Sequence, residues 1–450
     1  MRPSVEFERP SISRTLFAAC AIGVLALPAC GDRARLAHDA DAGTQPIIAA
    51  PNTGLVPTVN VAPASRWKAG SSPQPANGLT VQAMAAGLDH PRWLHVLPNG
   101  DVLVAETNAP APRDGGGGLR GWVMRLLMKR AGSAGVSADR ITLLRDVDGD
   151  GIAELKSVLL TNLHSPFGMA LVGNNLYVAN TDRIVRFPYV HDATRINDGG
   201  TVVAVLPATP PNYHWTRNLI AHPDGSRLYV TVGSNSNIGE HGMEHEVDRA
   251  AILEVDLATG TRRVFASGLR NPNGLAWNPR NGTLWTVVNE RDELGSDLVP
   301  DYLTSVRDGG FYGWPCCYFG THVDARVQPQ RPDLVARALR PDYALGAHVA
   351  PLGLAFNTGA LLSGPFREGV FIAEHGSWNR RPLSGYKVVF VAFRAGRPVG
   401  LPQDVLTEFL DGDGRARGRP AGVAIDRTGA LLVADDVGNV VWRVTPAAMR

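Results

Sequence analysis

The sequence predicts an all-β protein whose strands form a six-bladed β-propeller. One short pattern recurs along the chain: an apolar strand, a turn rich in Pro, Asn, Asp or Gly, and a second strand rich in Leu, Val, Tyr or Trp. Helical periodicity is nearly absent from the same region, which argues against a mixed or helical fold. Equivalent positions recur at intervals of roughly 50 to 90 residues, near the spacing of blade repeats. These positions are Val102, Leu176, Leu228, Leu284, Val370 and Leu431.

The six copies of the pattern begin at Pro91, Pro166, Thr216, Pro272, Pro351 and Pro420. Their turns include Pro-Asn-Gly, Pro-Asp-Gly, Arg-Asn-Gly and Arg-Thr-Gly, which are typical of β-hairpins. A β-sandwich or several small all-β domains would use similar hairpins, but six units of one kind favour a single closed ring with about four strands in each blade. The long interval from Asp292 to Val349 then predicts a loop built over one face.

The first 30 residues have the features of an export signal. Three arginines precede an apolar core at residues 16–29, which is too short to span a bilayer comfortably. The sequence Leu-Pro-Ala-Cys that ends at Cys30 resembles a bacterial lipobox, in which the cysteine is lipidated after cleavage. These features predict a protein of the periplasm or cell envelope that meets the membrane only through a lipid anchor. Pro28 departs from the lipobox pattern and leaves a soluble periplasmic product open.

Residues 31–77 are rich in Ala, Pro, Asn, Ser and Thr and show little hydrophobic periodicity. A segment of this composition does not bury enough apolar surface to offset the entropy lost on ordering. We therefore expect a flexible linker between the anchor and a propeller domain at residues 78–450.

Charge and cysteine content exclude several classes of protein. The formal net charge is +2, and no Lys- or Arg-rich block indicates a nucleic-acid partner. Four cysteines are too few for a disulfide framework, and no Cys-x-x-Cys-His motif encodes a c-type haem. Cys316 and Cys317 are adjacent: they form either a strained vicinal disulfide or two small buried residues beside Trp314, and the second interpretation is favoured.

An acidic loop at residues 146–154 alternates carboxylates with glycines. Asp146, Asp148 and Asp150 have the spacing with which a short loop wraps oxygen ligands around Ca²⁺. The twelfth position holds Ser157 rather than the glutamate of a full EF-hand loop, so a structural Ca²⁺ site and a plain acidic turn both remain open. At residues 411–414, a weaker version of the pattern favours a turn.

Polar residues interrupt the fourth repeat where an ordinary strand would carry apolar ones. The runs RNPNG at 270–274, NERD at 289–292 and GGFYGWP at 309–315 resemble the soluble quinoprotein glucose/sorbosone dehydrogenases, especially the sorbosone-dehydrogenase-like branch. The resemblance covers about residues 87–446. It implies a propeller that binds pyrroloquinoline quinone (PQQ) and Ca²⁺ and oxidises a sugar, with polar loop residues converging on a central pocket.

The resemblance also implies roles for residues of the third and fourth repeats. His214, followed closely by Arg217, matches the general base of the family, and a neutral imidazole is well suited to accept a hydroxyl proton. Arg217 is expected to bind the cofactor. Arg270 and Asn271 match the pair that contacts the quinone carbonyl region of the cofactor. A guanidinium there would stabilise the negative charge that develops on a carbonyl oxygen.

The resemblance places Ca²⁺ at Glu290, Arg291 and Asp292, where the family offers backbone carbonyls. This stretch is more charged than in the glucose-oxidising members, so ligation by the side chain of Glu290 or Asp292 also remains open. The lysine expected on the cofactor carboxylates near residues 356–358 is missing. The loop of the fifth repeat is expected to replace it, with an aromatic ring for stacking and several cations as carboxylate ligands: Trp378, Arg380, Arg381 and Lys387.

Together these features predict PQQ- and Ca²⁺-dependent oxidation of an aldose or sugar aldehyde, with electrons passed to a separate acceptor. Two alternatives stay open. A metal-dependent propeller hydrolase of the lactonase type would gather carboxylate and Asn ligands on the channel. A non-catalytic binding propeller of the cell envelope would leave His214, Arg270 and Arg380 apart.

Overall fold

The computed structural model describes residues 31–54, 58–110, 126, 129–132 and 135–448. The predicted signal peptide and Cys30 lie outside the described residues. Among the residues that are described, no helix has the length and apolar character needed to cross a membrane. Within the described ranges, helical structure is limited to short pieces, which include α1 (Pro332–Val335) and 3₁₀ turns at Met243–Glu246 and Gly364–Phe366.

Strands are the main regular structure of the described chain. Three precede the repeats: β1 (Ala42–Gly43), β2 (Gln74–Pro75) and β3 (Leu79–Ala86). Blade 1 contains β4 (Pro91–Val96), β5 (Val102–Glu106), β6 (Arg140–Arg145) and β7 (Leu155–Leu160). Blade 2 contains β8 (Met169–Val172), β9 (Asn175–Ala179), β10 (Arg183–Pro188) and β11 (Thr201–Val205). Blade 3 contains β12 (Leu219–Ala221), β13 (Arg227–Val232), β14 (Ala251–Asp256) and β15 (Arg262–Ser267).

The remaining blades follow the same plan. Blade 4 begins with β16 (Asn271–Trp277), β17 (Leu284–Asn289) and β18 (Pro300–Ser305). An insertion then carries β19 (Gly310–Phe311), β20 (Cys317–Tyr318) and β21 (His322–Val323) before blade 4 ends with β22 (Tyr343–Ala347). Blade 5 contains β23 (Pro351–Phe356), β24 (Gly369–Glu374), β25 (Lys387–Arg394) and β26 (Arg397–Thr407). Blade 6 contains β27 (Pro420–Ile425), β28 (Leu431–Asp435) and β29 (Val440–Pro446).

These sheets form the predicted six-bladed β-propeller. Within each blade, strands that follow one another in the chain pair antiparallel. Every predicted hairpin is the first and second strand of a blade, so the six repeats are confirmed. The N-terminal β3 supplies the outer strand of blade 6 by pairing with β29, with Ala86 opposite Val440. The two ends of the propeller domain therefore close the ring together.

The hydrophobic core is divided between the blades. Buried apolar residues form six clusters, one at each contact between neighbouring blades. The cluster between blades 1 and 6, for example, combines Leu94 and Val102 with Leu432 and Val441. Each blade packs between two other blades, so side chains on both of its faces are covered. Strands such as β5 and β28 are therefore buried along their whole length.

Four repeats begin with Pro-x-Gly, and the structure gives the physical reason for the glycine. These glycines lie where the inner strands of neighbouring blades touch. A Cβ added at Gly274 would lie 2.5 Å from Leu354 Cβ in blade 5, and one at Gly353 would lie 2.5 Å from the Ala421 carbonyl oxygen in blade 6. Such distances are far inside van der Waals contact, so only glycine fits. The inner strands pack closely around the channel for this reason.

The predicted loop between Asp292 and Val349 is only partly a loop. It contains β18 and β22 of blade 4, and the true insertion is 306–342. There β19 pairs parallel with β15 at the edge of blade 3. Cys316 and Cys317 are both buried and unpaired in this insertion, as the favoured interpretation predicted.

Residues 31–77 do not form the predicted flexible linker where the structure describes them. This N-terminal strap lies on the propeller: β1 pairs with β22 and β2 with β26. Ala62 is 1% exposed in the core between blades 5 and 6, and Trp67 Nε1 donates to Asp435 Oδ2 at 2.6 Å. The composition argument failed because the strap needs no core of its own when it packs on a surface that the propeller provides.

A buried acid in blade 5 gives a stability prediction. Glu374 is 1% exposed, its Oε2 has no hydrogen-bond partner among the described residues, and burial raises its pKa to about 8. Between the unfolded value of 4.5 and about 8, the unfolded chain is ionised while the folded protein holds the proton. The free energy of unfolding therefore loses about 1.4 kcal/mol per pH unit as the pH rises through this window.

We expect Glu374→Gln to remove this loss because the amide does not ionise. Urea unfolding should show that the variant gains stability relative to the parent protein between pH 5 and pH 8. Glu368→Gln, at an exposed ion pair with Arg280, serves as the matched control and should change little. An equal difference at both pH values would contradict the prediction.

Candidate active site

Polar side chains converge on one face of the propeller. The first strand of each blade begins at this face and the second strand ends there, because the two are antiparallel. The residues at these strand ends are polar and largely buried. Among them are His90, Asn108, Asn180, Asn218, Asn235, Asn271, Glu290, His348 and Asp436. All six blades thus contribute polar residues to this face, and their convergence on one pocket stays a prediction.

His214 lies at this face immediately before blade 3. Its Nδ1 is 2.8 Å from the Ser234 carbonyl oxygen and 3.1 Å from Ser234 Oγ. A carbonyl only accepts, and Ser234 Oγ donates its own proton to the Ser236 carbonyl oxygen. Nδ1 must therefore carry the imidazole proton. Nε2 is left with its lone pair and has no hydrogen-bond partner in the described chain.

Glycine at position 233 allows blade 3 and blade 4 to meet beside His214. A Cβ on Gly233 would lie 2.6 Å from His214 Cβ and would collide with Asn271 Oδ1. Asn271 Oδ1 is buried and has no hydrogen-bond partner among the described residues. An unpaired buried acceptor of this kind is costly unless a ligand or water satisfies it. It therefore marks a place for a bound donor or cation.

The surroundings of His214 favour its neutral form. Burial lowers its pKa well below the ordinary value of 6.5, and the guanidinium groups of Arg270, Arg249 and Arg217 lower it further. A neutral imidazole with a free Nε2 is ready to accept a proton over a wide pH range.

Arg270 joins three segments of the site. Its guanidinium donates to Asn237 Oδ1 at 3.0 Å, to the Glu290 carbonyl oxygen at 2.5 Å and to Asp292 Oδ2 at 2.8 Å. Asn379 Nδ2, from blade 5, donates to the other oxygen of Asp292 at 2.6 Å. The side chain of Asp292 is therefore occupied by two partners, and Arg270 is rigidly placed.

The segment 290–292 offers one free carbonyl. The Glu290 oxygen accepts from Arg270, and the Asp292 oxygen accepts from Arg291 Nε and Nη2 and from Asn237 Nδ2. The Arg291 carbonyl oxygen accepts no hydrogen bond within the described residues. The side chain of Arg291 pairs with Asp324 of the insertion and, being cationic, is no metal ligand. Burial raises the pKa of Glu290 to about 7, and its Oε1 is unpartnered in the described chain.

Two predicted cofactor ligands are placed elsewhere. Arg217 is completely buried and donates to the carbonyl oxygens of Pro207, His214 and Thr216, so it supports the His214 loop instead of facing a ligand. Lys387 begins the third strand of blade 5, where it pairs with Asp404 at 2.7 Å. A third strand lies two positions outward from the channel, so Lys387 does not reach the site.

The loop after β24 reaches the rim of the site. Arg380 Nε donates to the Ser296 carbonyl oxygen at 2.9 Å, and its side chain is 14% exposed. The backbone of Arg381 and of Trp378 is held by the strap, because the carbonyl oxygens of these residues accept from Ala34 and Asn60. Arg381 Nε is buried without a partner in the described part of the chain. This loop therefore contacts the site at Ser296 and, through Asn379, at Asp292. It does not contact His214 within the described residues.

The sequence interpretation missed a second charged group on the same face, the Asp436 cluster, which consists of His90, Arg92, His375, Arg419 and Asp436. Asp436 Oδ2 accepts from Arg92 Nη1 at 2.7 Å and from His375 Nε2 at 2.8 Å, with His90 Nε2 at 3.5 Å. Burial lowers the pKa of His375 to about 4. Although burial raises the pKa of Asp436, its cationic neighbours together hold that pKa well below the usual range.

The Asp436 cluster adjoins the His214 loop across the channel. The Arg92 guanidinium lies 5.8 Å from the ring of Trp215, which follows His214. Arg419 is 5% exposed, has no carboxylate partner among the described residues, and leaves Nε unpaired. A signal for this cluster was present in the sequence, since His375 and Asp436 directly follow the second strands of their repeats. Arg92 and Asp436 are 344 residues apart in the chain, which hid the contact.

The acidic loop 146–154 lies on the opposite face, between β6 and β7. Carboxylate oxygens of Asp146, Asp148, Asp150 and Glu154 lie within 4.8 Å of one another. The same carboxylates accept backbone N–H groups of their own loop, for example Gly149 N to Asp146 Oδ1 at 2.7 Å. This arrangement suits a turn as well as a cation, so both interpretations remain, and neither contributes to the polar face.

Comparison with known proteins identifies the family. The TrAA12-like family model matches residues 125–447, which is more than half of the chain. The chain belongs to the TrAA12-like family. A relative is the pyrroloquinoline quinone-dependent pyranose dehydrogenase of Coprinopsis cinerea, which is 24% identical over an alignment of 371 residues that covers 71% of this chain and 46% of that protein. The TrAA12-like chain thus spans about half the length of that enzyme.

Two further likenesses agree with this family assignment. The pyrroloquinoline quinone-dependent sugar dehydrogenase of Hypocrea jecorina (strain QM6a) is 24% identical over 382 residues, covering 75% of this chain and 79% of that protein. The calcium structure of a family AA12 enzyme from Trichoderma reesei superposes with a TM-score of 0.67 at 20% identity, covering 87% of this chain and 100% of that one. At this identity the superposition shows the fold, the six-bladed propeller.

Proposed function

We propose that this TrAA12-like protein is a PQQ- and Ca²⁺-dependent dehydrogenase that oxidises an aldose or a sugar aldehyde. One observation carries the proposal: His214, with Nε2 free, lies beside a fixed guanidinium and an unpaired buried amide oxygen, those of Arg270 and Asn271. A base, a cation and an unsatisfied acceptor are the parts that alcohol oxidation requires. The relatives named for PQQ-dependent sugar oxidation support the same reaction.

The residues present fit the proposed cofactor. PQQ carries three carboxylates on a planar tricycle, so its site requires cations that are not fully neutralised. Arg419 has no carboxylate partner in the described chain, and Arg92 and His375 share the single carboxylate of Asp436. The guanidiniums of Arg92 and Arg419 would hold the carboxylates, with His375 as a neutral hydrogen-bond partner of Asp436 beside them, and Arg270 and Asn271 would face the quinone. When bound, the cofactor supplies a two-electron acceptor for the hydride of the substrate.

The protein's own residues supply the rest of the chemistry. His214 Nε2 accepts the proton of the substrate hydroxyl, while Nδ1–H stays bonded to Ser234 and fixes the ring orientation. An aldehyde would react as its hydrate or cyclic hemiacetal, which provides the needed hydroxyl. Arg270 places positive charge where negative charge develops, in a buried environment that strengthens the interaction.

Calcium is proposed at the segment 290–292. Ca²⁺ prefers oxygen ligands, and the Arg291 carbonyl oxygen and Glu290 Oε1 are the atoms there that have no protein partner within the described residues. Asp292 is a weaker candidate because Arg270 and Asn379 already occupy both of its oxygens.

The hydrolase alternative has less support. It requires several free carboxylates on the channel, and although Glu290 Oε1 is unpartnered in the described chain, Asp292 and Asp436 are each bonded to arginine. The binding-scaffold alternative predicts that His214, Arg270 and Arg380 lie apart. His214 and Arg270 meet beside Asn271, and Arg380 is linked to them only through neighbouring residues of the rim.

The decisive experiment is titration of the purified full chain with PQQ and Ca²⁺, followed by a panel of aldoses, with the quinone absorbance as readout. We expect stoichiometric binding that chelation of Ca²⁺ weakens, and sugar-dependent bleaching. Absence of binding at high Ca²⁺ would contradict the proposal and leave the hydrolase or scaffold alternative. A lactone panel assayed without PQQ distinguishes those two.

Export and anchoring belong to the same proposal. Residues 1–30 carry the signal-peptide and lipobox patterns, which support a lipid-anchored protein of the periplasm or cell envelope that passes its electrons to a separate acceptor. Radiolabelled palmitate should enter the protein in a bacterial host, and Cys30→Ser should abolish the label. Labelling that survives this substitution would refute the anchor.

A further inference from the structure

The loop that carries His214 is clamped by two buried arginines that share their acceptors. Arg217 Nη1 donates to the His214 carbonyl oxygen at 2.7 Å, and its Nη2 donates to the Pro207 carbonyl oxygen at 2.6 Å and to Asn212 Oδ1 at 3.0 Å. Arg249 donates to the same three oxygens, at 3.3, 3.0 and 2.9 Å. Residues 207–214 are thus fixed from two sides.

Neither guanidinium forms an ion pair with a carboxylate in the described chain. Arg217 is 0% exposed and Arg249 is 5% exposed. The carboxylate whose charge acts on Arg249, that of Glu246, is already bonded to Asn235 N and Ser236 Oγ. Two buried cations satisfied only by neutral oxygens are unfavourable for folding stability, which indicates a role other than stabilisation.

Arg249 also reaches the acceptor that orients the imidazole. Its Nη2 donates to the Ser234 carbonyl oxygen at 3.3 Å, the same atom that accepts from His214 Nδ1 at 2.8 Å. The guanidinium thereby holds the carbonyl in place behind the ring. A fixed acceptor at Nδ1 fixes the tautomer, and the tautomer decides which nitrogen is free to act as a base.

We propose that Arg249 is a positioning residue for His214: together with Arg217 it holds the imidazole in the Nδ1–H tautomer and keeps the ring neutral until substrate binds. The inference rests on the proposed role of His214 as the base. It assigns a task to Arg249, which no sequence pattern singled out.

The charges around His214 support this assignment. The ionised groups that face the ring are the guanidiniums of Arg217, Arg249 and Arg270, and all three oppose a positive charge on the imidazole. Asn212 lies between the first two, with Oδ1 bonded to both. A carboxylate at position 212 would therefore offset the effect of the pair without removing either arginine.

The test uses ¹⁵N-histidine NMR of the apoprotein, with the His214 signal assigned by its absence from His214→Gln. The parent protein should show the Nδ1–H tautomer and no protonation of His214 down to acidic pH. Arg249→Met should show mixed tautomers and protonation at higher pH. Asn212→Asp, which keeps both arginines and guards against a misfolded Arg249→Met, should keep the tautomer but also protonate at higher pH.

Activity gives a second readout. At pH 5.5, sugar oxidation by both variants should fall roughly threefold or more relative to pH 8, whereas the parent protein holds its rate. Arg394→Met, at an exposed position in blade 5, is the matched control and should behave as the parent. An unchanged His214 spectrum in both variants would overturn the inference. Because the spectra need neither cofactor nor sugar, failure of the dehydrogenase proposal would appear only in the activity assay.

Discussion

A His214→Ala variant is expected to oxidise sugar roughly 10²–10⁴-fold more slowly than the parent protein, the usual contribution of a general base. The reason is that Nε2 of His214 is the free, neutral nitrogen on the polar face, with Nδ1 committed to Ser234. PQQ affinity should stay nearly unchanged, because the imidazole is no carboxylate or quinone ligand in this arrangement. Stopped-flow bleaching of the bound quinone measures the rate, and absorbance titration measures the affinity.

The matched control is His191→Ala, a histidine whose side chain is 72% exposed on blade 2. It should leave both rate and affinity as they are. A His214→Ala enzyme that keeps its bleaching rate would show that another group removes the proton. Loss of PQQ binding in the same variant would instead make His214 a cofactor ligand.

Deletion of the N-terminal strap is the second change with a large expected effect. A chain that begins at residue 78 loses Trp67, which packs against Phe409 and Trp442, and Ala62 from the core between blades 5 and 6. Full burial of a large apolar side chain is worth about 1.5–3 kcal/mol, and the partly buried Trp67 contributes a share of this. We expect the melting temperature to fall by roughly 5 °C or more, since a few kcal/mol shifts a domain of this size by several degrees.

The deletion should also weaken PQQ binding, because the strap holds two rim loops. Asp32 accepts from Ser296 N at 2.8 Å, and Asn60 Nδ2 donates to the Arg380 carbonyl oxygen at 2.8 Å. Differential scanning calorimetry and absorbance titration test the two effects separately. Removal of residues 1–30 alone is the control and should change neither. If the truncated protein kept the parent's melting temperature and PQQ affinity, the prediction would be wrong, and residues 31–77 would act only as a flexible linker.

The architecture was predictable because its signals are local. Each hairpin of two inner strands is recognisable within about 20 residues, because two apolar strand segments flank a typical turn sequence. The repeats from Pro91 and Pro420 are examples. The resemblance similarly located His214, Arg270 and Asn271 at the polar face. Residues that act through distant partners were not found this way: Arg249 lies 35 residues from His214, and Arg92 lies 344 from Asp436.

Two errors have a common physical cause. Lys387 and Arg217 were assigned to the cofactor from their charge and their nearness in sequence to family motifs. The charge of a side chain does not determine where the side chain points. Lys387 belongs to the third strand of its blade, and the side chain of Arg217 points into loop 207–216. The prediction of a flexible linker failed for a similar reason. Low hydrophobicity shows that the strap cannot form a core by itself, but it does not show whether the strap packs on another part of the protein.

The closure of blade 6 has a consequence for biosynthesis. β3 pairs with β29, and Leu79 lies opposite Pro446, near the other end of the propeller domain. A chain made or exported from its N-terminus presents β3 long before β29 emerges, and β3 lacks its strand partner in the meantime. Contacts of such long sequence separation form late. Translation that stops even a few residues before Val440 would therefore release an open ring with an exposed edge, a substrate for chaperones and proteases.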